Sequence, residues 1–242
     1  MMKTILSAAL MAAAMPMMAV AQTASAQSAP ANPKALHYLD ATLVQPVLIL
    51  PAPVARDMPT NARELAMLHQ LIATASPQRL KQAYQDAIHE DPAIFNDALG
   101  IDLKKLPATW ELLEIVNHES SVVASIAKDQ FHRMRPYSAD ASLPFCEGKA
   151  DPAKPAYRSY PSGHSTLGYS VGVTLARLVP AKAGKIMDRA QDYAMSREYC
   201  GAHYASDVQA SQVIGTLAAT LLLNDPRLAD KVAAARAELS RS

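Results

Sequence analysis

Apolar residues along this chain recur every three to four positions, the spacing of helices packed by one face. From Asn61 to Ala75 this period predicts a helix. Ser76-Pro77 and Asp91-Pro92 each place a capping side chain before a proline at the first helical position, so two further helices are expected to start there. A longer pattern opens after Pro107 and runs through Trp110, Leu113, Val116, Val122 and Ile126 to Arg135, where Pro136 ends it. Tyr137 to Tyr160, holding Pro144, Gly148, Pro152 and Pro155, reads as a loop. Helices are then expected at Ser162 to Val179, Ala181 to Arg197, about Tyr204 to Leu223, and Asp225-Pro226 to Leu239. No repeat of 20 to 50 residues is visible, which sets solenoids aside. The expected fold is all-α, a single compact helical bundle with one long loop.

The N-terminal quarter follows other rules. Residues 1–26 carry one early charge, Lys3, then an apolar run from Ile5 to Ala14 that continues past Pro16 to Ala21 and closes on small residues, the pattern of a signal peptide. Ala19-Val20-Ala21 and Ala24-Ser25-Ala26 both offer cleavage sites, the second where polar residues begin. Residues 27–60 contain Pro30, Pro33, Pro46, Pro51, Pro53 and Pro59 around the apolar stretch Leu43 to Leu50, and are expected to form an extended arm laid over the body, residues 61–242. The best later apolar run, Val213 to Leu223, is too short to span a bilayer, so no stable membrane insertion is expected after the leader. An exported chain with two cysteines predicts one bridge, Cys146 to Cys200.

Charge narrows the partners. With 23 Lys and Arg against 22 Asp and Glu the formal charge is +1, which argues against nucleic acid as the main partner. Half the residues are hydrophobic and only 13 are aromatic (9 Tyr, 3 Phe, 1 Trp), a usage suited to helices rather than a β-sandwich. The seven histidines form no HExxH-type cluster and the cysteines lack metal-ligand spacing, so no metal and no cofactor is expected.

Three short segments share one chemical theme. Lys128 and Arg135 are seven residues apart, two helical turns, which would set both cations on one face. Asn117 and Ser121, 11 and 7 residues before Lys128, would share it. Pro161-Ser162-Gly163-His164 opens a helical run, with Ser162 as cap, Gly163 allowing close backbone approach and His164 in the first turn, where helix N-H groups attract anions. Ser196-Arg197 precedes His203 and Asp207, which are spaced so that the carboxylate can orient an imidazole one turn away. Three cations, neutral donors, two histidines and a carboxylate compose a phosphoryl-transfer site in which fixed cations do the charge neutralisation usually given to Mg²⁺.

Lys128-x6-Arg135-Pro136, Pro161-Ser162-Gly163-His164 and Ser196-Arg197-x5-His203-x3-Asp207 together resemble the signature of the type 2 phosphatidic acid phosphatase and vanadium haloperoxidase superfamily, and more narrowly the bacterial class A non-specific acid phosphatases. Ser159-Tyr160, the Arg-x-x-Cys-Gly-x-His run from Arg197 to His203 and the tail from Ser206 to Leu239 add to the likeness, while Arg158 is a departure outside the signature. The resemblance implies an all-helical fold, a periplasmic or secreted enzyme and a phosphohistidine intermediate. It also implies roles: His203 as nucleophile, Asp207 as its orienter, His164 as general acid, and Lys128, Arg135, Ser162, Gly163 and Arg197 as phosphate ligands. The expected activity is metal-independent hydrolysis of small-molecule phosphate monoesters, as an acid phosphatase of broad specificity. A lipid phosphate or diphosphate phosphatase and a non-catalytic oxyanion-binding protein are the alternatives, and assembly into a homo-oligomer is left open.

Overall fold

The computed structural model describes residues 35–146 and 157–241. The expected signal peptide, the first part of the arm and the middle of the long loop lie outside the described residues. Ten α-helices follow one another without a strand among the described residues: α1 (Pro46–Ile49), α2 (Pro59–Ala73), α3 (Pro77–Ala87), α4 (Asn96–Leu99), α5 (Pro107–Phe131), α6 (Pro136–Ala139), α7 (Gly163–Leu178), α8 (Ala183–Tyr199), α9 (Ala205–Leu223) and α10 (Ala229–Leu239). The all-α expectation holds.

Most boundaries follow the capping logic. Ser76 accepts from the Arg79 amide at the start of α3, and Asp91 and Asp225 accept from the Ala93 and Arg227 amides at 3₁₀ turns that open on Pro92 and Pro226. One boundary differs in a way that matters for the site. Helix α5 stops at Phe131, where His132 takes a left-handed conformation (φ 47°), and the chain turns before Pro136 can end anything. Inside the expected loop, Pro136 instead opens the short helix α6.

Helix α7 is the axle. It packs against α5, α8, α9 and α10, and most of its residues are buried. Its partner α9 comes close enough that a Cβ on Gly215 would lie 2.8 Å from the Ser170 amide nitrogen and 2.9 Å from the Thr166 carbonyl oxygen. Only glycine permits that approach, which matters because α7 carries His164 in its first turn and α9 starts just after His203. The main core joins Leu112 and Leu113 of α5, Leu167, Val171 and Leu175 of α7, and Ile186 and Tyr193 of α8.

The described part of the N-terminal segment, from residue 35, packs on the helices, and α1 interrupts its extended course. Leu39, Val44 and Leu50 are buried against Val116, Val123 and Ala127 of α5 and Ile214, Ala218 and Leu222 of α9. The buried Glu119 carboxylate fastens it, accepting from the amides of His37 (2.8 Å), Tyr38 (3.2 Å) and Leu39 (2.9 Å). Tyr160 donates its hydroxyl to the Pro51 carbonyl at 2.8 Å, linking the arm to the segment that leads into α7.

Candidate active site

Four chain segments meet around His203. The residue lies in the turn between α8 and α9 and is 1 % exposed. The turn reverses sharply at Gly201, whose φ of 63° is left-handed and whose Cβ, were there one, would lie 2.2 Å from the Pro144 carbonyl oxygen. Both facts require glycine. The Cys146–Cys200 disulfide ties this turn to the residues after α6, closing the bridge expected from the sequence across 54 positions.

The imidazole is oriented differently from the expectation. Its Nδ1 donates to the Ser159 carbonyl at 2.8 Å, while Asp207 Oδ2 stands 3.5 Å away. A carbonyl only accepts, so Nδ1 carries the proton and Nε2 keeps its lone pair. Asp207, fully buried, acts one step removed: it accepts from the Ser159 hydroxyl, from the Tyr204 amide at 2.9 Å and from Arg133 Nη1 at 2.6 Å. Burial pushes its carboxyl upward, against the pull of Arg133 and these hydrogen bonds.

Arg133 is the residue that sequence reasoning missed. It is buried, spans Asp207 and Glu64 (2.6 Å to each), reaches the Ser206 hydroxyl at 2.7 Å and lies 3.9 Å over the Tyr204 ring. The Arg133-Met134-Arg135-Pro136 run holds two arginines, and only Arg135 stands at the seven-residue spacing from Lys128 that points to the site.

Because α5 ends at Phe131, Lys128 and Arg135 do not share a helical face as the seven-residue spacing predicted. They converge anyway, since the bend at His132 brings Arg135 back as the N-terminal flank of α6. Lys128 is 8 % exposed and donates to the carbonyls of Arg158 (2.9 Å) and Pro161. Burial, then the nearby Arg135, holds its ammonium well below the usual range, with Asp207 pulling the other way. Burial also holds His203 well below its ordinary value, helped by Arg135, Lys128, Arg197 and His164. That shared influence puts the sequence-chosen cations and the second histidine within electrostatic range of one imidazole. Arg197 is 1 % exposed, in the last turn of α8. Its neighbour Ser196 donates to Asp86, which is paired with Arg189 at 2.6 Å, and this buried network anchors that end of α8.

The first turn of α7 completes the site. Ser162 accepts from the Ser165 amide (3.3 Å) and hydroxyl (2.9 Å), which leaves its own hydroxyl proton for another acceptor. A Cβ on Gly163 would meet no protein atom within 4 Å, so the protein's own packing does not demand glycine there. His164 has Nε2 3.1 Å from the Ala87 carbonyl and Nδ1 2.8 Å from Glu90 Oε1. Burial and Arg197 lower its pKa, while the Glu90 carboxylate works to raise it. Arg158, the departure from the family pattern, pairs with Asp129 and reaches the Ser125 hydroxyl at 3.1 Å, bracing the loop whose carbonyl Lys128 uses. Asn117 and Ser121 hydrogen-bond each other at 3.3 Å, with Ser121 exposed.

A buried histidine whose Nε2 keeps its lone pair, within electrostatic range of three cations and of a second histidine at a helix N-terminus, defines a site for oxyanion chemistry in an all-helical frame. Residues 112–229 match the PAP2 superfamily, and the chain carries a domain of that superfamily. It is 28 % identical over 228 residues to an acid phosphatase of Zymomonas mobilis, covering 92 % of this chain and 85 % of that one. A non-specific acid phosphatase of Salmonella typhimurium is 28 % identical over 197 residues, covering 79 % and 78 %. One from Providencia stuartii is 25 % identical over 213 residues, covering 85 % and 86 %. Among solved structures, a transmembrane PAP2 type phosphatidylglycerolphosphate phosphatase of Bacillus subtilis superposes with a TM-score of 0.52 at 18 % identity, over 69 % of this chain and 86 % of its own. That likeness is one of fold.

Proposed function

We propose that this protein is an exported acid phosphatase that hydrolyses small phosphate monoesters, without a divalent metal, through a phosphohistidine on His203. The observation that carries the reading is the Nδ1–H of His203 fixed on the Ser159 carbonyl, which leaves Nε2 as a nucleophile among Lys128, Arg135 and Arg197. Names of the curated relatives, which include acid phosphatase and non-specific acid phosphatase, support the same class. Among the described residues no helix is long and apolar enough to cross a membrane.

The reaction divides into two displacements. In the first, the Nε2 lone pair attacks phosphorus, the N–P bond forms, the ester P–O bond breaks, and the departing oxygen takes a proton from His164. In the second, His164 takes a proton from water as its oxygen attacks phosphorus, and the N–P bond breaks with its electrons returning to Nε2. The three cations, the Ser162 hydroxyl and the first amides of α7 bind the phosphoryl oxygens, where negative charge concentrates in both transition states. Positive groups crowded into a buried volume raise one another's energy, and a phosphate dianion relieves that crowding.

Hydrolysis of nitrophenyl phosphate by EDTA-treated protein, with and without vanadate, tests the reading. Turnover should persist in EDTA, and vanadate should inhibit at concentrations where sulfate does not, because its trigonal-bipyramidal adduct on Nε2 mimics the transition state. Activity abolished by EDTA and restored by Mg²⁺ or Zn²⁺ would overturn the metal-independent mechanism. Vanadate binding without turnover would identify an oxyanion-binding protein instead.

A further inference from the structure

One turn of chain supplies both partners of the His164 ring. Ala87, the last residue of α3, takes Nε2 on its backbone carbonyl, and Glu90, three residues on, meets Nδ1 with its carboxylate. The two partners differ in kind. The first is an acceptor fixed in the helix end and buried with its residue, whereas the Glu90 side chain is 64 % exposed. A carbonyl is acceptor only, so Nε2 donates to it and has no lone pair to exchange there. Proton traffic to and from a reacting oxygen therefore runs through Nδ1, the nitrogen that Glu90 Oε1 meets at 2.8 Å. Any oxygen that receives the His164 proton must arrive where that carboxylate lies, beside it or in its place.

We propose that Glu90 forms the leaving-group side of the site and is a specificity-determining residue, selecting phosphate monoesters whose alcohol portion is neutral or cationic over those with a second anionic group near the ester oxygen. The inference rests on the phosphomonoesterase reading, with His164 as the acid. The cations bear chiefly on the phosphoryl side of the reaction: Lys128, Arg135 and Arg197 all act on His203, Arg197 acts on His164 as well, and Arg189 is engaged by Asp86. A carboxylate at the leaving oxygen accepts hydrogen bonds from hydroxyl or ammonium groups of the alcohol, and it repels a neighbouring phosphate or carboxylate. Broad acceptance of alcohols and discrimination against diphosphates are thus compatible in one site.

The test compares kcat/KM for phosphocholine, glycerol 1-phosphate and inorganic pyrophosphate in the full-length protein and in Glu90→Gln. Glutamine keeps the length and a carbonyl acceptor for Nδ1 but removes the charge. For one charge acting over about 5 Å from a largely exposed carboxylate, through an effective dielectric of about 50, the pyrophosphate-to-phosphocholine ratio should rise roughly tenfold in the variant. Added salt should raise the wild-type ratio relative to that of Glu90→Gln, because attraction to the cations is screened in both proteins and repulsion by Glu90 only in the wild type. A ratio that stays within twofold in both arms overturns the inference, as does an equal loss on all three substrates, which would make Glu90 only a positioning residue for His164. Failure of the underlying reading looks different: the wild type would then not turn over nitrophenyl phosphate in EDTA at all.

Discussion

The Ser159 carbonyl, rather than Asp207, receives the Nδ1 proton of His203, at 2.8 Å against 3.5 Å. Asp207 governs the imidazole through that same residue, because its carboxylate accepts the Ser159 hydroxyl. The orientation of the proposed nucleophile therefore depends on a backbone segment held from both ends, by Asp207 at Ser159 and by Arg133, whose carbonyl accepts from the Ser159 amide at 3.0 Å. Charge and tautomer are handled by different groups.

Asp207→Asn separates them. The carbonyl continues to dictate Nδ1–H, so kcat should fall about 100-fold, less than the ~10⁴-fold loss that follows when a carboxylate bonded directly to a catalytic imidazole becomes an amide. Stability should suffer more plainly. Arg133, 5 % exposed, loses one of its two carboxylate partners and keeps Glu64, and breaking a buried pair costs about 3 kcal/mol. Urea unfolding alongside steady-state kinetics reads both. A kcat loss near 10⁴ would mean that Asp207 bonds the imidazole directly during turnover.

What the chain reveals locally and what it hides differ in kind. Serine or aspartate before proline marks a helix start because cap and proline act within one turn, and α3 and the turns at Pro92 and Pro226 begin where those pairs stand. The Pro161-Ser162-Gly163-His164 turn is legible for the same reason. The end of α5 is not, since a left-handed histidine announces itself by neither glycine nor proline. Arg133 and Glu90 are hidden for another reason: their partners Asp207 and His164 lie 74 residues away in each case, and no local period encodes such a pairing.

The Cys146–Cys200 bridge is expected to act on stability and on the site together. Closing 54 residues of chain stabilises by roughly 4 kcal/mol in the chain-entropy model. Cys200 is fully buried and directly precedes Gly201, whose carbonyl accepts from the Tyr137 amide at 3.2 Å. Release of the bridge should therefore loosen the turn that presents His203. The Cys146→Ser, Cys200→Ser protein should unfold at lower urea and lose kcat more than it gains KM. Unchanged kcat in the fraction still folded would confine the bridge to stability.

Glu198 makes a pH prediction with a definite sign. It lies half-buried beside Arg197, and burial, then Asp207 and Glu64, pushes its carboxyl up from 4.5 to about 7. The folded protein thus binds a proton between those values that the unfolded chain has released, so stability from this group is complete below about pH 4.5 and is lost as pH rises through 7. The cost at pH 8, discounted for partial solvent access, is about 1–3 kcal/mol. Glu198→Gln, which stays neutral throughout, should be more stable than the wild type at pH 8 by that margin and no more stable at pH 4. Its melting temperature should accordingly vary less between those pH values. The neighbouring histidines cannot produce this result, because burial lowers both and a lowered histidine opposes folding on the acid side instead. Equal gains at pH 4 and pH 8 would show that the substitution acts through packing, and a loss at pH 8 would show that the Glu198 carboxylate is held by a favourable partner.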